Sequence, residues 1–163
     1  MRASRTAPRP GERGFSLIEI MVVVMIIAVL IGIAIPVYLG ARSRSQDAKA
    51  KSLISLAVKA QRAYLTDNKK FTTDEAALRR EVTQQISFVS TTPAQGSSEV
   101  QVTVGDVSAT APDQLVCMAV VSQSGTTFTI KDMATGADSG TWYLKGADAT
   151  ACNTSVTGYS RSW

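Results

Sequence analysis

The chain has 163 residues, 45% of them hydrophobic, and a formal net charge of +4 with no histidine. Without histidine, and with Cys117 and Cys152 as its only thiols, it cannot assemble a zinc or iron ligand cluster, a Ser-His-Asp site or a Cys-His site. Gly125, Gly136 and Gly140 are scattered turn residues rather than a phosphate-cradling loop. No catalytic residue, cofactor or metal is therefore expected, and the chain is not read as an enzyme.

Residues 1–14 carry Arg2, Arg5, Arg9 and Arg13 against Glu12, which is +3 of the +4. The remainder, with 13 Lys and Arg against 12 Asp and Glu, is +1. The basic character belongs mostly to this first segment and argues little for nucleic-acid binding by the rest. Behind it stands Gly14-Phe15-Ser16-Leu17-Ile18-Glu19, followed by an uncharged run from Ile20 to Leu39. Twenty residues at about 1.5 Å each span the roughly 30 Å hydrocarbon core of a bilayer. Glu19 is the anomaly. An ionised side chain at the edge of such a run costs on the order of 2.5 to 3.5 kcal/mol on insertion scales, so a partner is expected for it.

The block Gly14-Phe15-Ser16-Leu17-Ile18-Glu19-Ile20-Met21-Val22 resembles the type IV prepilin family. That family has a short basic leader ending in Gly, an N-terminal Phe, and an apolar helix with Glu as its fifth residue. The resemblance covers residues 1 to about 65 and is loose beyond. It implies cutting between Gly14 and Phe15 by a prepilin peptidase, N-methylation of the new Phe15 amine, and a type IV pilin-like α+β fold. A secretory signal peptide has its apolar segment before the cut, whereas here the cut would precede the anchor and leave it on the product. The bland alternative is an uncleaved signal anchor with its arginines held inside. Cutting places a new cation four residues before Glu19, on the same helix face. In the family this carboxylate is taken to meet the amine of an adjacent subunit and set the axial register, and Glu19 is expected to do so here. The competing reading is a headgroup-level acid at a helix N-terminus, worth about 0.3 to 1 kcal/mol.

Gly32 and Pro36 interrupt the run. Pro36 lacks an N–H and its ring crowds the Gly32 carbonyl, so a kink or local melting is expected, either as a passive bend or as a functional break. The resemblance implies that the helix here can unwind as a subunit moves from membrane to filament. Beyond Leu39, the residues Ala50, Ile54, Ala57, Val58, Gln61 and Tyr64/Leu65 recur at helical spacing, so the helix continues as an amphipathic segment over 40–67. Residues 68–163 form a globular part. Phe71 is expected to tuck back, and Thr72 with Glu75 fits a capping box opening a short helix to about Gln84. Alternation over Glu99–Val104 and Thr126–Lys131, the apolar run Leu115–Val121, and Gly140–Lys145 predict an antiparallel sheet of about four strands with one face on the long helix. If this part lies beyond a membrane, a Cys117–Cys152 bond is the simplest account and would staple the C-terminal region, with two buried free thiols as the alternative. Trp163 is either a packed plug or an exposed contact.

The expected function is structural: a pilin of an extracellular type IV pilus, held first as a single-pass precursor in the inner or cytoplasmic membrane and polymerised through its helix into a helical homopolymer. The loops Thr91–Ser98 and Ala147–Trp163 are its candidate surface, and adhesion, motility and DNA uptake are roles such a fibre can serve. The resemblance implies as partners a peptidase/methylase, an assembly ATPase, a platform membrane protein and minor pilins. Two alternatives stand beside it. One is a pseudopilin of a type II secretion or DNA-uptake system, against whose secretion form the last third shows neither an Asp cluster of calcium type nor a Trp-Gly-x-Pro-Tyr-like tail. The other is a monomeric tethered binding domain. Arg42, Arg44, Lys49 and Lys51 could touch DNA, but a solvated face is the better reading.

Overall fold

The computed structural model describes residues 14–82, 86–146 and 152–163. Its elements are α1 (Leu17–Asn68), α2 (Glu75–Arg80), β1 (Ser87–Val89), β2 (Glu99–Gly105), β3 (Leu115–Val121), β4 (Thr127–Met133) and β5 (Gly140–Lys145). The chain divides into two compact units, Met1–Gly40 and Ala41–Trp163.

In the first unit the apolar run is helical, and α1 continues through Gly32 and Pro36, so no melted segment separates its parts in this state. Every residue from Gly14 to Gly40 is exposed.

In the second unit, the expected stripe packs as its spacing demands. Ala50, Ile54, Ala57, Val58, Ala60 and Gln61 are buried, with Tyr64 and Leu65 half-buried beside them. They meet Val100, Val102, Val116, Met118, Val120, Phe128 and Ile130, the inward-facing residues of β2, β3 and β4. A buried side chain of this size stabilises by about 1.5 to 3 kcal/mol relative to its exposed state, so this layer is where the domain gains its cohesion. Gln61 serves differently: its amide donates to the Thr72 carbonyl at 2.6 Å and accepts from the Thr72 N–H at 3.2 Å, so the chain leaving the helix is pinned back against it. Phe71, 2% exposed, packs into the same core.

The long helix ends at Lys69, which takes φ +60°. In that left-handed position its N–H reaches the Leu65 carbonyl at 2.8 Å, the single-bond αL cap, with lysine where glycine is usual. The Asn68 amide and the Lys69 ammonium satisfy two further end carbonyls, of Tyr64 and Thr66.

Two expectations are corrected. The cap of α2 is Asp74, whose Oδ1 accepts from Ala76 N–H at 2.9 Å and Ala77 N–H at 3.4 Å. Thr72 instead accepts from the Asp74 N–H, and Glu75 pairs with Arg79 one turn on, so neither is free to close the expected box. The helix stops at Arg80, short of the expected Gln84, which itself lies outside the described residues. Among the described residues the sheet has five strands where about four were expected, in the order β1-β2-β3-β4-β5. The added β1 is three residues long and runs parallel to β2, Phe88 opposite Val100; every other pairing is antiparallel.

Candidate processing and assembly site

Gly14, Phe15, Ser16 and Glu19 come together at the first turn of α1. Gly14 to Ser16 are not helical, and the Ser16 carbonyl accepts from the N–H groups of Glu19 and Ile20 at 3.1 and 3.3 Å, so the helix begins immediately behind Phe15. Glu19 therefore lies in the first turn, where the positive end of the helix dipole favours a carboxylate. The Gly14–Phe15 bond sits in exposed, non-helical backbone, accessible to a peptidase as a helical bond would not be. Nothing lies within 4 Å of a Cβ built on Gly14, so the fold of this chain does not require glycine there. Gly32 is equally unencumbered, and both Gly32 and Pro36 stand on exposed helix.

The helix behind this turn is apolar on every side. Phe15 is 78% exposed and Met25 71%, and α1 has the length and composition to cross a membrane. At about 25 cal/mol per Å², leaving such a surface in water is costly, and an apolar environment would relieve it.

A second constellation lies on the face of the sheet away from the helix. Cys117 and Cys152 are disulfide-bonded with Cα atoms 5.6 Å apart, which carries the C-terminal segment onto β3. From there residues 152–163 cross the sheet as a strap. The Lys131 ammonium, on a side chain 1% exposed, donates to the Ser155 carbonyl at 2.5 Å and the Asn153 Oδ1 at 3.4 Å and lies over the Tyr159 ring. Burial pushes its pKa down. Ser160 then pairs with Tyr143 on edge strand β5, and Arg161 stacks 3.6 Å over Trp142. Past the β5 edge the strap turns to the helix side of the sheet, where Trp163 packs against Phe128 and Tyr143, ring centroids 5.1 and 5.0 Å away, beneath the Lys51 ammonium of α1. At 40% exposed it is a plug with one open edge. Of the candidate surface, loop 91–98 is largely exposed, while residues 147–151 lie outside the described residues, as do residues 1–13. Sequence reasoning missed Lys131, Ser160 and Arg161. Only Lys131, a charge inside an alternating strand, left a visible mark.

Among the described residues, no group of three or more His, Cys, Asp or Glu side chains could hold a metal ion. What the arrangement offers is an exposed Gly14–Phe15 bond, a first-turn carboxylate and an uncovered apolar helix in the first unit, and a disulfide-stapled sheet in the second.

These features are an exposed Gly-Phe bond, a first-turn carboxylate and a helix long and apolar enough to cross a membrane. Residues 9–35 match the model of the prokaryotic N-terminal methylation motif. The chain is 37% identical over 66 residues to the type IV wide pilus major component PilA4 of Thermus thermophilus, covering 40% of this chain and 50% of that protein. It is 39% identical over 71 residues to the type IV major pilin protein PilA of Myxococcus xanthus, 44% of this chain and 31% of that one. It is 34% identical over 95 residues to a fimbrial protein of Pseudomonas aeruginosa, 58% of this chain and 60% of that one. The chain thus spans about a third to three fifths of the relatives it matches. Motif and partial matches make the chain similar to type IV pilins over its amino-terminal part.

Proposed function

We propose that this protein is the pilin subunit of a type IV pilus, held as a single-pass membrane precursor, cut between Gly14 and Phe15, methylated on the Phe15 amine and polymerised through α1 into an extracellular fibre. The observation that carries this reading is the exposed apolar helix with a carboxylate, Glu19, in its first turn directly behind a Gly-Phe bond in open backbone. Once the bond is cut, the Phe15 amine and the Glu19 carboxylate are opposite charges at one end of an apolar rod. Each costs several kcal/mol to desolvate alone, and each is matched when subunits stack so that the amine of one meets the carboxylate of the next. The Arg-rich leader holds the uncut end on the cytoplasmic side. A peptidase/methylase, an assembly ATPase, a platform membrane protein and minor pilins are the partners this route needs.

The names of the relatives, major pilins and a fimbrial protein, support the pilus reading, with a pseudopilin as the alternative. Glu19→Gln tests the reading. The expected result is normal cutting and membrane insertion with fibre yield reduced at least tenfold, because one charge of every stacked pair is gone; fibres at wild-type yield and assembly rate would contradict it. Surface fibres of micrometre length distinguish the pilus from a pseudopilus.

A further inference from the structure

We propose that Arg42 and Arg44 bind lipid phosphates on two sides of α1 at the outward-facing surface of the bilayer, adding to the hold of the apolar span after the leader has been removed. The inference rests on the reading that Ile20–Leu39 spans a bilayer.

The distances select these two residues. The headgroup layer adds about 5 to 7.5 Å on each side of the hydrocarbon core. With a helical rise of about 1.5 Å, Arg42 lies about 4.5 Å beyond Leu39 and Arg44 about 7.5 Å, whereas Lys49 lies about 15 Å beyond, in water. Tyr38, 66% exposed at the end of the apolar run, stands where an interfacial aromatic belongs.

The angular arrangement selects the partner. At about 100° per residue, Arg42 and Arg44 point about 200° apart around α1, and both are exposed. A duplex or a protein surface meets one face of a helix, while a lipid headgroup layer surrounds it. Among the described residues neither arginine takes part in an ion pair or hydrogen bond; Asp47, the nearest acid, accepts from Ser124 instead. Guanidinium groups left uncommitted at this depth suit phosphate oxygens, which they bind through two parallel N–H donors.

The charge count supplies the consequence. Before the cut, Arg2, Arg5, Arg9 and Arg13 pin the inner end. The cut removes all four and leaves Arg42 and Arg44 as the basic residues at headgroup depth, on the side towards which the subunit leaves.

The test is solid-state NMR on the full chain, with arginine labelled at Cζ, in bilayers of phosphatidylcholine and phosphatidylglycerol. The measurement is dephasing of Cζ by lipid 31P. Arg42→Gln with Arg44→Gln is expected to lower the phosphate-dephased signal measurably. Arg79→Gln with Arg80→Gln, on the exposed surface of α2, is expected to leave it unchanged. Magnetisation transfer from lipid acyl chains to Ile and Val methyls of the apolar run reports the span separately. An unchanged dephased signal in the Arg42/Arg44 variant, with the methyl transfer present, overturns the phosphate contacts and leaves the span standing. Absent methyl transfer overturns the span, and the phosphate contacts with it. Duplex DNA retained by the wild type and lost by this variant, with no arginine–phosphate dephasing at these two residues, overturns the proposal in favour of a nucleic-acid contact.

Discussion

Arg62 on α1 grips Asp132 on β4 in a two-point contact, Nε to Oδ2 at 2.7 Å and a terminal nitrogen to Oδ1 at 2.9 Å, across 70 residues of sequence. The carboxylate side chain is 3% exposed and the arginine 52%. Thr141 on β5 completes the arrangement, accepting from Arg62 at 2.8 Å and donating to Asp132 at 3.1 Å. The hydrogen bond to Asp132 is the main reason the Arg62 pKa is raised, and it outweighs the lowering by burial. The contact joins helix to sheet at β4 and β5, away from Gln61 and the turn it holds.

Arg62→Met strands a buried carboxylate and is expected to cost about 2 to 4 kcal/mol, the partial exposure of the arginine placing it at the lower part of the range for broken buried pairs. Arg62→Met with Asp132→Leu is expected to recover at least half of that loss, since the penalty lies in the orphaned charge. Denaturant unfolding of the four members of the cycle in detergent measures both values.

The disulfide between Cys117 and Cys152 closes a separation of 35 residues, for which the chain-entropy argument gives about 3 to 4 kcal/mol. Replacing both cysteines with alanine is expected to lower stability by that amount and to expose residues 152–163 to proteolysis before the sheet opens. Limited proteolysis with mass detection reads the order of events.

Lys131 gives a pH dependence whose sign follows from its burial. Its folded-state pKa is lowered by desolvation, so across the interval between that value and the ordinary lysine value the unfolded chain binds more protons than the folded one. Stability attributable to this group therefore rises as pH rises through the lowered value and levels off near about 10.4. The stability of the wild type minus that of Lys131→Met is expected to increase with pH across this alkaline window. Paired unfolding curves measure it, and a difference independent of pH would contradict it.

Trp163 closes the strap against Phe128 and Tyr143. Its replacement by alanine is expected to cost about 1 to 3 kcal/mol, from two aromatic contacts at about 0.5 to 1.5 kcal/mol each. Amide exchange at Ser160 and Tyr143, whose mutual hydrogen bonds lie just before the plug, is expected to quicken first.

Where local pattern and tertiary demand coincide, the sequence was legible. The stripe on α1 needed no partner to be read, because one face is buried and the other is not, and the alternation of β2 and β4 marked their helix-facing residues even though Gln101, Thr129 and Lys131 on the other face are buried as well. Strand β1 was not legible: in Ser87-Phe88-Val89 only Phe88 is buried, and the segment is extended because the edge of β2 accepts it. Thr72 and Asp74 both satisfy the local rule for a cap, and the difference between them is which oxygen reaches the N–H groups of α2. Arg62 reads as a solvated residue off the stripe, and its partner is set by the register of β4 against the helix, which is long-range information. At the amino end, Gly14, Phe15 and Glu19 could be singled out because the pattern lies along one stretch of chain.

The central claim is tested most directly by the intact, unreduced mass and the N-terminal sequence of protein sheared from cell surfaces. The account predicts fibres whose subunit begins with N-methylated Phe15 and is lighter by the two hydrogens lost in the Cys117–Cys152 bond. A chain that still begins at Met1 and is recovered only from membranes would contradict it and leave a tethered domain in its place.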